Sequence, residues 1–249
     1  MNLKLYSMAV IKTSKGDFHF KPQIVYLGIK QIDKKIAFDN LKVVAEIMNK
    51  SGLNWGPVLG TLLGIIRDND FITWDEDIDL YVLNEDKEKF LPLLFDFKNA
   101  GFEVIRNWRC GLISIKRNGE YIDFYLVKKL EGNIMCSNGD VFYFDKYFKD
   151  TIVWDFKGIK FNIPREYEEF LEFRYGDWKK PVQYCDFEMN VFEKWRMITY
   201  LYFVNHIPNW IYYPLFRRHH QQHLDKFKAK CAVKGIKLPD NLSLNNYHE

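Results

Sequence analysis

Four acids fall within five positions just ahead of an apolar run: Asp75, Glu76, Asp77 and Asp79 in "TWDEDIDLYVL". A strand has a side-chain period of two, so Asp77 and Asp79 project from one face while Ile78 and Leu80 project from the other. Crowded carboxylates repel one another and resist dehydration unless a cation sits between them. A hard divalent ion such as Mg²⁺ or Mn²⁺ takes oxygen ligands and suits the pair. Asp75 shares the parity only if the strand starts that early, and Glu76 points away. The plain alternative is an edge strand whose solvent face carries alternating acids.

Upstream, Gly60 and Thr61 stand where a short strand, "LNWGPVL", gives way to a short helix, "TLLGIIRDN", with Thr61 as the expected N-cap. Such a junction presents backbone N–H groups and the positive end of the helix dipole to an anion. Asp123, in the expected strand "EYIDFYLV", adds a third carboxylate flanked on its own face by Tyr121 and Tyr125. Three carboxylates around two cations, beside a phosphate-binding turn, form a clamp for in-line displacement at phosphorus. Taken singly, Gly-Thr can be only a helix cap and Asp123 only a solvated edge residue.

The rest of the chain alternates strands and helices. Residues 1–28 read as short strands around "KTSKGD". "QIDKKIAFDNLKVVAEIMNKSG" repeats apolar residues at helical spacing and stops at Gly52. "EDKEKFLPLLFDFKNAG" reads as a helix with a kink at Pro92. "FEVIRNW", "GLISIKR" and "EYIDFYLV" read as strands, the last two around an Asn118-Gly119 hairpin. "VFYFDKYF" and "GIKFNI" read as strands, "PREYEEFLEFRYG" as a helix with a proline in its first turn, and "CDFEMNVFEKWRMITYLYFVNH" as a helix. An aromatic stretch, "IPNWIYYPLFRRHHQQH", and a polar basic tail follow. His219 and His223 have the i, i+4 spacing of a metal pair, but no third ligand accompanies them, and a solvated basic face is the preferred reading.

The segment "GTLLGIIRDNDFITWDEDIDL" resembles the signature of the LicD-type phosphocholine transferases and the fukutin-related glycan phosphotransferases. A second segment, "IPREYEEFLEFRYGDWKKP", resembles that family's Tyr-Gly-x-Trp-x-x-Pro stretch. The likeness covers roughly residues 38–182. It implies an α+β, nucleotidyltransferase-like fold, a mixed β-sheet flanked by helices, here with a C-terminal helical and aromatic extension. The implied division is an N-terminal strand extension over residues 1–30, a catalytic domain over 31–185 and the extension over 186–249. The implied donor-phosphate residues are Gly60, Thr61 and Arg67, and the implied catalytic and metal-binding residues are Asp77, Asp79 and Asp123. Arg67 can instead pair with a neighbouring acid. Trp74 is expected to pack or wall a pocket, and Tyr175, Gly176 and Trp178 to close a helix and pack its end. Asp68-Asn69-Asp70 stands where the family commonly has a glycine, and Asn and Asp tolerate the left-handed turn.

The activity so implied is Mg²⁺-dependent transfer of phosphocholine from CDP-choline to a hydroxyl of a glycan, such as a lipopolysaccharide or cell-surface polysaccharide, with release of CMP. Transfer of ribitol phosphate or glycerol phosphate from a CDP-alditol is the nearest alternative, and nucleotidyl transfer another. A polyol calls for hydrogen-bonding residues where choline calls for an aromatic cage. A glycan- or membrane-binding module without catalysis is the alternative of a different class. A formal net charge of only +3 argues against nucleic acid as a partner. The charge is uneven, with eight Lys/Arg against three Asp/Glu from Trp195 to Glu249. Aromatics beside Arg217 and Arg218 there suit the surface of a membrane carrying a lipid-linked acceptor, and the competing reading is that these rings close the core. Four scattered cysteines, Cys110, Cys136, Cys185 and Cys231, suit reduced thiols. The expected location is cytoplasmic and peripheral to a membrane, since neither a signal-peptide pattern nor a spanning stretch of ~18 apolar residues is found.

Overall fold

The computed structural model describes residues 8–23, 25, 31–182, 190–244 and 247, with no side chains described at 194, 197, 198, 201, 202 and 204–206. Cys185 and the segment 183–189 therefore lie outside the described residues, as does the side chain of Tyr202.

A hairpin of β1 (Ala9–Thr13) and β2 (Gly16–Phe20) precedes α1 (Lys34–Ser51). Asp33 caps α1 by accepting from the N–H groups of Lys35 and Ile36, and Gly52 ends it in the left-handed conformation. Next come β3 (Trp55–Pro57), α2 (Leu59–Asp68) and β4 (Ile78–Leu83). The expected kinked helix is broken in two. A 3₁₀ turn leads into α3 (Lys87–Phe90), and α4 (Leu93–Asn99) starts after Pro92. Then follow β5 (Glu103–Trp108), β6 (Leu112–Arg117), β7 (Glu120–Lys129) and β8 (Ile134–Ser137). "VFYFDKYF" splits into β9 (Val141–Phe144) and the single turn α5 (Lys146–Lys149). The hairpin of β10 (Thr151–Phe156) and β11 (Ile159–Pro164) precedes α6 (Tyr167–Tyr175). Pro164 ends the strand and does not start the helix. The chain then forms α7 (Val191–His206) and α8 (Asn209–Val233).

The central sheet has the order β3-β4-β7-β6-β5, with β8 and β9 continuing from the far end of β7. β4 and β7 are parallel and their path neighbours antiparallel, so the sheet is mixed. One face is packed by helices. Ile78, Leu80, Ile122 and Phe124 are completely buried there, and the Phe124 ring meets Phe90 at 4.9 Å and Phe97 at 5.6 Å. Each such buried side chain contributes about 1.5–3 kcal/mol. The outer hairpin sits almost in contact with β3. A Cβ on Gly56 would lie 1.8 Å from the backbone oxygen of Asn162, which cannot swing aside. Gly56→Ala is expected to cost about 3 kcal/mol of stability; a urea titration giving less than about 1 kcal/mol would contradict that packing.

The first part of the expected basic tail, to Val233, belongs to α8, which buries Tyr212, His220, Leu224, Phe227 and Cys231 along one stripe. Phe227 packs on Phe142 of β9, ring centroids 5.4 Å apart. The "HHQQH" segment is therefore not wholly a solvated face. His219 and His223 do meet, edge to face at 4.6 Å, but His220 between them is 3% exposed.

Candidate active site

Parallel pairing in register sets Asp79 of β4 directly beside Asp123 of β7. Asp77 stands at the mouth of β4, one residue before the strand, and is half-buried. The three carboxylates place ligand oxygens within 4.8 Å of one another. Asp79 is 7% and Asp123 2% exposed. Burial, then the charges of Asp79 and Asp123, push the Asp77 carboxyl well above its ordinary value. Burial, then the charges of Asp123 and Asp75, raise Asp79 likewise, against the lowering effects of a Tyr125 hydrogen bond and the Arg106 charge. Burial also raises Asp123, opposed by Arg106 and Ser114. Oδ1 of Asp123 is buried with no hydrogen-bond partner among the described residues. Hard oxygen donors, mutual repulsion and an unmet lone pair all fit a divalent cation, so the cluster can hold a metal ion.

Local hydrogen bonds explain how the cluster is held. The Asp79 N–H donates to Thr61 Oγ1 at 2.8 Å, and the Val58 N–H donates to the Asp79 carbonyl at 3.0 Å. Thr61 is not the N-cap that its sequence context suggested. The helix starts at Leu59, Val58 takes the cap position without a side-chain bond, and Thr61 is buried in the first turn. Its hydroxyl is a strut between α2 and β4. Gly60 has a different purpose. A Cβ there would lie 2.4 Å from Asp75 Oδ2, so glycine lets that carboxylate rest against the first turn of α2, where the dipole favours an anion.

Arg67 takes the alternative left open for it. Its Nε and Nη2 donate to the two oxygens of Asp68 at 2.9 and 2.7 Å, while its side chain also lines the neighbouring cavity. Asn69 adopts φ 49° and ends α2, so the left-handed turn survives without glycine. Asp70 is bridged by Lys34 at 2.9 Å and Lys157 at 3.0 Å, which balances the additional acid.

Sequence reasoning missed Arg106 and Ser114. Register across the sheet aligns Asp79, Asp123, Ser114 and Arg106 on four successive strands. Arg106 Nη2 donates to Asp123 Oδ2 at 2.5 Å and Nε to Ser114 Oγ at 2.7 Å. The guanidinium is 4% exposed and lies 4.6 Å from the Trp108 ring. The available signal was an arginine after "FEVI": charges are almost never fully buried without a partner.

Beside the cluster lies a cavity of about 310 Å³ walled by Arg67, Trp74, Asp75, Glu76, Tyr175 and Trp178 among others. Two sequence segments a hundred positions apart thus meet in one place. Gly176 does end α6, its N–H donating to Glu172 O at 2.9 Å. Tyr175 and Trp178 reach beyond packing the helix end and form a wall of the cavity. His219 and His223 do not join a metal set; Asp77, Asp79 and Asp123 form the one such group among the described residues.

A mixed sheet bearing carboxylates on adjacent parallel strands, fed by a strand-to-helix turn, defines a domain of the nucleotidyltransferase type. The sequence model of the LicD/FKTN/FKRP nucleotidyltransferase domain matches residues 58–189, and the chain belongs to that family. The ribitol-5-phosphate transferase FKTN of Homo sapiens is 26% identical over 169 residues, covering 62% of this chain and 36% of that protein. An uncharacterised protein of Rickettsia typhi is 25% identical over 145 residues, 56% of this chain and 45% of its own. The chain thus spans less than half the length of either relative. Among solved structures, the lincomycin-bound lincosamide adenylyltransferase LnuA aligns with TM-score 0.41 and 11% identity, covering 68% of this chain and 98% of that one. The antibiotic-resistance factor ANT(2'')-Ia aligns with TM-score 0.42 and 12% identity, covering 81% and 96%.

Proposed function

We propose that the chain is a Mg²⁺-dependent transferase that moves a phospho-alcohol from a CDP-activated donor to a glycan hydroxyl and releases CMP. The observation that carries this reading is the Asp77–Asp79–Asp123 cluster, two of its carboxylates buried and one Asp123 oxygen unmet, beside an aromatic and acidic cavity. Bound Mg²⁺ would supply charge neutralisation at the diphosphate and lower the pKa of the acceptor hydroxyl. Asp77 and Asp79 hold and orient the cation. Asp123, whose Oδ2 is engaged by Arg106, serves as a ligand through its second oxygen. The first turn of α2, at Gly60 and Thr61, and Arg67 receive the donor phosphates, which requires Asp75 to swing off the helix end. The rings of Trp74, Tyr175 and Trp178, with Asp75 and Glu76 beside them, suit the quaternary ammonium of choline. Ribitol phosphate is the second reading, favoured by the similarity to a ribitol-5-phosphate transferase.

The direct test incubates the protein and Mg²⁺ with CDP-choline, CDP-ethanolamine, CDP-glycerol or CDP-ribitol and measures CMP release. Fastest release from CDP-choline is expected. Release from none of the four defeats the proposal, and release of pyrophosphate from a nucleoside triphosphate would move the chain to nucleotidyl transfer.

A membrane-bound acceptor is part of the same proposal. No helix among the described residues is long and apolar enough to cross a membrane. The C-terminal rings divide: Tyr212 is buried, while Phe192, Trp195, Phe203 and Trp210 are exposed. At about 1 kcal/mol per basic side chain near an anionic surface, reversing Arg217 and Arg218 to Glu is expected to weaken vesicle binding by about tenfold or more at low salt. Donor hydrolysis should be spared. Wild-type protein that ignores phosphatidylglycerol vesicles at low salt would end the membrane reading.

A further inference from the structure

A second cavity, of about 210 Å³, lies against Trp108, whose ring meets the Arg106 guanidinium. Its walls include Trp108, Asn138, Asp140, Tyr200, Tyr212 and Phe216, contributed by the end of β5, the β8–β9 turn, α7 and α8, with Arg109 and two imidazoles beside them. Trp108 carries the Arg106 guanidinium on its ring, and Arg106 holds Asp123, so this cavity and the carboxylate cluster share a partition. Nothing in the proposed donor chemistry uses it.

Two observations define what it would accept. First, Asn138 and Asp140 each keep a side-chain Oδ1 buried with no hydrogen-bond partner among the described residues. An unmet buried acceptor costs about 1–3 kcal/mol, so the fold retains two groups that only a donor can repay. Their position is fixed. Asn138 and Gly139 both take left-handed backbone conformations, at φ 52° and 79°, and a Cβ on Gly139 would strike the buried His220 ring at 2.6 Å. Secondly, the opposite walls are aromatic: Tyr212 and Phe216 stack with centroids 4.3 Å apart, and Trp108 adds its ring.

Charge then separates the ligand classes. Burial raises the Asp140 carboxyl, opposed by the positive fields of His223, Arg174 and His219, and Arg109 also lines the cavity, so a cation is not required. A quaternary ammonium offers no N–H or O–H to the unmet oxygens. A neutral polyol does, and the apolar face of a sugar ring lies well on aromatic side chains. The volume, that of about seven waters, matches one monosaccharide.

We propose that this cavity binds a saccharide unit of the acceptor through Asn138 and Asp140, delivering its hydroxyl toward the cluster past Arg106. The acceptor role rests on the transferase reading; the saccharide site itself does not. The site is tested by saturation-transfer NMR of the wild-type protein, without donor, against methyl α-D-glucoside, methyl α-D-galactoside, N-acetyl-D-galactosamine, ribitol and choline. Binding of at least one glycoside, and loss of that binding in Asp140→Ala and in Asn138→Gly, is expected. Glycine keeps the left-handed backbone at 138, and removal of an unmet acceptor should leave the melting temperature unchanged or higher. In transfer assays with a glycan carrying the bound sugar, the acceptor KM should rise about tenfold to a hundredfold, with CMP release into water unaltered.

Failure of every glycoside to bind, or binding that survives both substitutions, overturns the saccharide site and leaves it to ordered water. A rise in donor KM with an unchanged acceptor KM would assign the cavity to the donor's own polyol and overturn the acceptor role. If the wild-type protein releases no CMP from any donor yet binds a glycoside through Asp140, the transferase reading fails while the saccharide site stands.

Discussion

Asp79→Asn, and separately Asp77→Asn, should lower turnover by about a thousandfold or more while the fold persists, because each removes charge that holds the cation where phosphoryl charge develops. The side chains keep their shape, and the metal-free protein loses repulsion among buried acids, so its melting temperature should hold or rise. Near-normal turnover of either variant at saturating Mg²⁺ would remove these residues from the site. The pH dependence has a definite sign. All three carboxyls are shifted upward, so the folded metal-free protein binds more protons than the unfolded chain above the ordinary carboxylate range. Its stability is therefore greatest at low pH within that window and falls as pH rises through the elevated values. Protons compete with the metal there, so Mg²⁺ binding should release protons and tighten as pH rises. Calorimetric titrations in buffers of different ionisation enthalpy measure that release directly.

Arg106→Met should cost about 3–5 kcal/mol, the usual consequence of leaving one partner of a buried ion pair uncompensated. Asp123 would lose its counter-charge and Ser114 its donor, both in a nearly anhydrous part of the sheet. The double variant Arg106→Met, Asp123→Asn should recover most of that loss and remain inactive, separating the structural need for the arginine from the chemical need for the carboxylate. Saturating Mg²⁺ should restore part of the stability of the single variant, since a cation at Asp123 stands in for the guanidinium. Denaturant titrations with and without metal decide this. A loss below about 1 kcal/mol for the single variant would contradict the pairing.

Much of the site was legible because its residues keep strong local signatures. The period-two acids at Asp77 and Asp79, the helix that stops at Gly52 and the Asn118-Gly119 hairpin each carry their geometry in adjacent residues. What sequence concealed was set by distant contacts. Thr61 looks like a cap in "GTLLG", yet its hydroxyl answers the N–H of Asp79, eighteen positions away. Arg106 needed the registers of two strand pairs before its partner was visible. The Asn138-Gly139 and Lys157-Gly158 turns resemble many loop dipeptides, so β8 and β10 were missed although both form hairpins. The aromatic stretch was given no element, whereas the packing of Tyr212, Leu224 and Phe227 carries one helix through it and past Pro214.

The Asp79–Asp123 alignment depends on a parallel pair whose strands are joined through α3, α4, β5 and β6. Parallel strands cannot close through a tight turn, and such non-local pairing pays its loop entropy before it is rewarded. No local segment brings the three carboxylates together, and a slip of one residue in β7 would replace Asp123 by Ile122 or Phe124 beside Asp79. In refolding, affinity for a divalent ion should consequently emerge in a single step, when β4 and β7 engage in register. Metal capture would then time the closure of the sheet, and a chain trapped in the wrong register would reveal itself as metal-blind even with native secondary-structure content.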